Sequence, residues 1–154
     1  MPITLIRVIK PMLILELGTS VGYSTLWMAD ACKKVGGHIK TIEYLPKKVA
    51  MARQYFKACN VDDIIELLQG DIRDVLESWA GDGPDLVFMD PNKEWQKYYL
   101  ACLSGIMHSG SMIITDNSFD AYDISEEYVR DLQKDYLSVF VGLDTAGTLL
   151  SIKK

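Results

Sequence analysis

"LILELGTSVGYSTLWMADA" occupies Leu13–Ala31. Apolar residues lead to an acid, Glu16, and then to Gly18-Thr19-Ser20-Val21-Gly22. From Tyr23 onward the apolar spacing is helical. A strand, a glycine turn and a helix in that order commonly hold a ligand at the turn.

The same alternation continues along the chain. Met12–Glu16 reads as a strand and Tyr23–Lys34 as a helix. His38–Glu43 is a second strand, and Pro46–Cys59 a helix with proline in its first turn. Ile64–Leu68 is a third strand and Arg73–Trp79 a short helix. "PDLVFM", Pro84–Met89, is a continuous apolar strand, as expected when both faces of a sheet are covered. Glu94–Met107 follows as a helix, Ser111–Thr115 as the fifth strand and Ser125–Lys134 as the last helix. Tyr136–Val141 and Thr148–Ile152 read as a closing hairpin. The predicted fold class is therefore α/β, with a doubly wound, mostly parallel sheet of Rossmann-like type and an antiparallel end.

In such sheets ligands lie beyond the carboxyl ends of the strands. Those ends carry Glu16-Leu17-Gly18, Glu43-Tyr44, Gly70-Asp71, Asp90-Pro91 and Asp116-Asn117. Asp and Asn favour turns and helix caps, which accounts for any one of these positions, Asp71 included. Carboxylates at all five strand ends point to a site.

The 154 residues suit one domain, 1–154. A net charge of -5 gives no general attraction to nucleic acid or anionic membrane. No apolar run nears the roughly 20 residues of a membrane span, and Met1-Pro2-Ile3-Thr4 has no secretory character. Cys32, Cys59 and Cys102 form no C-x-x-C pair and read as buried thiols in a reducing compartment. The cytoplasm is the expected location. His38 and His108 read as surface or turn residues, whereas Trp27, Met28, Trp95, Tyr98 and Tyr99 read as core packing.

A dinucleotide loop, G-x-G-x-x-G, needs a middle glycine to admit a pyrophosphate. Ser20 stands there, and no Walker lysine follows Gly22. Glu43 closes the next strand, where an acid accepts hydrogen bonds from ribose hydroxyls. An adenosine ribose without phosphate fits, and S-adenosylmethionine is such a ligand.

"LELGTSVGYSTLWMA", "TIEY", "LQGDIRDVL", "PDLVFMDPNKEWQKYY" and "MIITDN" together resemble the cation-dependent class I O-methyltransferases. These include catechol and caffeoyl-coenzyme A enzymes and a branch acting on tRNA hydroxyuridine. The resemblance spans about Leu13 to Asn117, with an echo at "AGTLLSIKK". It implies a seven-stranded sheet whose last strand is antiparallel. It also implies that Glu16, Gly18, Thr19, Ser20, Gly22 and Ser24 surround the methionine and adenosyl part of the cofactor. By the same resemblance Glu43 would hold the ribose beside Tyr44, and Gly70, Asp71 and Ile72 would edge the adenine, with Asp90 also near the cofactor. Asp90, Asp116 and Asn117 match metal ligands, and Lys93 matches a lysine that takes the acceptor's proton.

Chemistry gives these groups a reason. A phenol of pKa about 10 is mostly neutral at pH 7, and a metal ion makes a bound hydroxyl more acidic. Mg2+ prefers oxygen ligands in octahedral geometry, and two carboxylates with an amide leave positions for two vicinal substrate oxygens. A nearby dication disfavours the protonated form of Lys93. The acceptor implied is a small catechol-like hydroxyl compound. A tRNA hydroxyuridine, or a cofactor-binding domain without catalysis, is the alternative. Helices that such enzymes carry before the first strand are largely missing here; "TLIRVIKP" supplies one short amphipathic piece. Apolar surface left open in that way favours a homodimer.

Overall fold

The computed structural model describes residues 2–91, 93–116, 126–142 and 147–154. Seven strands form one sheet, in the order β3-β2-β1-β4-β5-β7-β6. They are β1 (Leu13–Leu17), β2 (His38–Glu43), β3 (Ile65–Gln69), β4 (Leu86–Met89), β5 (Met112–Thr115), β6 (Tyr136–Val141) and β7 (Thr148–Lys153). The first five run parallel, and β7 is antiparallel to both β5 and β6. The expected antiparallel end is therefore present. The order reverses between β1 and β4, which opens a crevice beyond their carboxyl ends.

Helices cover both faces. On one side lie α1 (Pro2–Ile9), α2 (Tyr23–Val35) and α3 (Pro46–Ala58), which pack Ile6, Met28, Ala29, Val49 and Phe56 against Ile14, Ile39 and Ile114. On the other lie α4 (Ile72–Glu77), α5 (Gln96–Ile106) and α6 (Glu126–Asp135). These bring Leu76, Leu100, Leu103 and Leu132 against Leu15, Leu17, Val87 and Ile113. Adjacent residues of β1 thus serve opposite cores, which explains why all five of its residues are buried. α1 is the amphipathic piece the sequence predicts: Ile6 is fully buried, and Ile3, Leu5 and Ile9 pack beside it.

Several expectations need correction. Trp27 is 54% exposed, whereas Met28 is buried as expected. The inward face of α2 runs Thr25, Met28, Ala29 and Cys32, at i, i+3, i+4 and i+7, and Trp27 falls outside that stripe. Its ring meets Tyr23 edge-on one turn earlier. Tyr99 is core, but Trp95 is 39% exposed. Of the cysteines only Cys32 is buried; Cys59 caps the end of α3 in the open. The helix predicted from Glu94 begins instead as a tight 3-10 turn, Lys93–Trp95, of the kind common at helix starts, and α5 follows from Gln96.

Candidate active site at the strand ends

The glycine loop is shaped by two left-handed glycines and one left-handed serine. Gly18, Ser20 and Gly22 have φ of +99°, +52° and +91°. At Gly22 a Cβ would lie 2.6 Å from the Phe56 ring, so that residue must be glycine on two counts. The backbone N–H groups of Gly18 and Thr19 donate to the carbonyl of Ile42 at 3.2 and 2.9 Å. This stitches the loop across the end of β2.

Beneath the loop lies a buried hydroxyl network. Glu16 has no exposed surface and accepts from Ser24 Oγ, Thr25 Oγ1 and Thr41 Oγ1 at 2.5, 2.5 and 2.6 Å. Thr41 pairs with Glu16 in register across β1 and β2, and it also meets Thr19 Oγ1 at 2.6 Å. Burial pushes the Glu16 carboxyl up to about 7; the three hydroxyls oppose that rise, and Asp90 adds to it. Glu16 therefore sits behind the wall of the site and reaches it through Ser24.

Glu43 has the complementary role at the surface of the crevice. Its Oε2 accepts from the Ser20 N–H and its Oε1 from the Leu45 N–H, both at 2.8 Å. Each oxygen keeps a lone pair for a ligand.

Two cavities open here. One, of about 730 Å³, is bounded by Gly18, Thr19, Ser20, Ser24, Asp90 and Asp116, with Tyr23 and Trp27 on its rim. The second, of about 480 Å³, is bounded by Glu43, Tyr44, Asp71, Ile72, Asp90 and Tyr99. Asp90 and Lys48 belong to both walls, so the cavities meet between them.

Asp71 proves to be a helix cap: its Oδ1 accepts from the Arg73 N–H at 2.8 Å. The Arg73 guanidinium grips the same carboxylate at 2.9 and 2.6 Å and holds it down to about 2. Gly22 and Gly70 shape turns without forming wall; the Gly70 N–H donates to the Glu43 carbonyl at 3.0 Å.

Asp90 and Asp116 end neighbouring strands, β4 and β5, and the Asp116 N–H donates to the Met89 carbonyl at 3.1 Å. Thr148 Oγ1 donates to Asp116 Oδ1 at 3.2 Å. Two hard carboxylates on one cavity wall suit an oxygen-seeking divalent ion. Among the described residues no three His, Cys, Asp or Glu side chains converge as a cage. The third expected ligand, Asn117, lies outside the described residues, as does the side chain of Lys93.

Sequence reasoning did not single out Lys48, Thr25 or Thr41. Lys48 had a readable signal, since it falls in the first turn of a helix that follows a strand-end acid. Thr41 lies two residues before Glu43, so the two share a strand face.

The O-methyltransferase family profile matches residues 3–141. A catechol O-methyltransferase of Mycobacterium tuberculosis is 36% identical over 104 residues, which is 68% of this chain and 47% of that protein. One from Niastella koreensis is 36% identical over 107 residues, covering 68% and 48%. The chain thus spans about half the length of these relatives. The crystal structure of an SAH-bound methyltransferase from Podospora anserina superposes with a TM-score of 0.86 at 26% identity, covering 99% of this chain and 76% of that one. The profile match takes in the glycine loop and every described strand-end acid of the crevice, and the chain belongs to the O-methyltransferase family.

Proposed function

We propose that residues 1–154 form one S-adenosylmethionine-dependent O-methyltransferase domain that methylates a hydroxyl of a small catechol-like acceptor. The observation that carries this reading is the junction of two cavities at Asp90. One holds an acid with spare lone pairs, Glu43, and the other holds a second strand-end carboxylate, Asp116. The SAH found in the Podospora relative supports the cofactor assignment.

In this reading Glu43 accepts hydrogen bonds from the ribose diol, and Tyr44, Asp71 and Ile72 border the adenine. Gly18, Thr19, Ser20 and Ser24 bound the methionine end. S-adenosylmethionine supplies an electrophilic methyl on a sulfonium. Asp90, Asp116 and Asn117 would hold a divalent cation, Mg2+ by the hardness of its donors, which lowers the pKa of a bound hydroxyl. Lys93, three residues past Asp90, accepts the hydroxyl proton. Holding the nucleophile in line with the methyl removes most of the entropy cost of the encounter.

The test is transfer to catechol and to phenol with Mg2+, before and after EDTA. Turnover of catechol that EDTA abolishes and Mg2+ restores is expected, with phenol slower by about a hundredfold or more. Equal rates on both acceptors reject chelation as the source of selectivity. Full activity after metal removal rejects the cation.

A further inference from the structure

Arg73 makes two contacts at once. Its guanidinium is gripped by both oxygens of Asp71, and its central carbon lies over the Trp95 ring, 4.4 Å from the centroid. Asp71 borders the second cavity. Trp95 ends the 3-10 turn Lys93–Trp95, whose first residue is Lys93. The planar, bidentate arginine cannot turn away from the tryptophan without giving up the carboxylate. Trp95 is further fixed edge-on to Tyr98, whose hydroxyl donates to Glu77 on α4. Trp95, at the N-cap position of α5, makes no side-chain capping bond of its own.

We propose that the Asp71–Arg73–Trp95 stack is a brace that positions the Lys93 turn for proton removal from the acceptor. The proposal rests on the assignment of Lys93 above. Arg73 and Trp95 are positioning residues in this proposal: they act by holding the turn. The brace also ties the turn to the loop that borders the proposed adenine pocket, so that the two sides of the site are set by one carboxylate.

Two measurements test it. In the full chain without ligands, Arg73→Ala should speed amide hydrogen exchange several-fold in the peptide spanning Lys93–Tyr98, while exchange in β1 and β4 stays unchanged. Unchanged exchange in that peptide overturns the brace. In the assay, Trp95→Ala should lower kcat on catechol about ten- to a hundredfold with S-adenosylmethionine affinity kept within twofold, and Trp95→Phe should recover most of the loss. In a Lys93→Ala background, Trp95→Ala should cost nothing further. A kcat within twofold of the parent, or an equal loss in both backgrounds, rejects positioning through Lys93. Full activity of Lys93→Ala alone rejects the base assignment, and with it the catalytic role of the brace, whatever the exchange data show.

Discussion

Glu43 accepts the backbone N–H of Ser20 at 2.8 Å, so the acid that ends β2 fixes the one left-handed non-glycine residue of the glycine loop. That bond joins two elements that a cofactor would have to meet together, the loop around its methionine and the acid at its ribose.

Glu43→Ala is therefore expected to weaken S-adenosylmethionine binding twice over. It removes acceptors for the ribose and releases Ser20 from its strained conformation. Hydrogen bonds to a charged group contribute about 1.5–3 kcal/mol each, so calorimetry should show at least a tenfold rise in Kd. An unchanged Kd sinks the assignment of Glu43. Glu43→Gln, which keeps one carbonyl acceptor, should fall between the two.

A comparison of two glycines separates backbone strain from steric conflict. Gly22 and Gly36 both have positive φ, +91° and +81°. A Cβ at Gly36 meets nothing within 4 Å, whereas at Gly22 it strikes the buried Phe56 ring. Gly36→Ala should cost about 1 kcal/mol from the left-handed backbone alone. Gly22→Ala should cost a further 1–3 kcal/mol, roughly, from overpacking. Equal urea midpoints for the two variants would mean that Phe56 yields.

The carboxylate at the end of β5 should set the metal requirement. Asp116→Ala removes one of two acids on the cavity wall, and the Mg2+ concentration for half-maximal turnover should rise by about tenfold or more. Affinity for S-adenosylmethionine should stay within a few-fold, since Glu43 and the glycine loop are untouched. The same Mg2+ dependence in variant and parent removes Asp116 from the ligand set.

How much of this could be read in the sequence depended on whether the signal was local. The strands were legible because buried parallel strands are continuous apolar runs between turns, and "PDLVFM" and "SMIIT" show that plainly. Strand ends then gave Glu43, Asp90 and Asp116, because topology alone puts them at the crevice. Trp27 was misread because periodicity identifies a helix face only once the inward stripe is known, and that stripe runs through Thr25 and Cys32. Asp71 was open between site and cap; its capping bond depends on Arg73, a local pattern, but the cavity beside it does not. Nothing local announced that Arg73 would reach Trp95, 22 positions away in the sequence.

Glu16 should leave a signature in the pH dependence of folding. The carboxyl is wholly buried, and burial is the largest cause of its rise from 4.5 to about 7. In the unfolded chain it titrates near 4.5, so between these values the folded state holds the proton more tightly. Its contribution to stability is therefore complete below about pH 4.5 and is lost as pH rises through 7. The difference is on the order of 3 kcal/mol for a shift of this size. Glu16→Gln keeps a carbonyl for the two threonine hydroxyls, turns its amide N–H toward Ser24 Oγ, and has no proton to lose. Urea midpoints of the ligand-free protein, taken without Mg2+, should fall from pH 5 to pH 8 more steeply in the parent than in Glu16→Gln, with the variant the more stable of the two at pH 8. Parallel curves would mean that the hydroxyls of Ser24, Thr25 and Thr41 stabilise the carboxylate enough to cancel the cost of burying it.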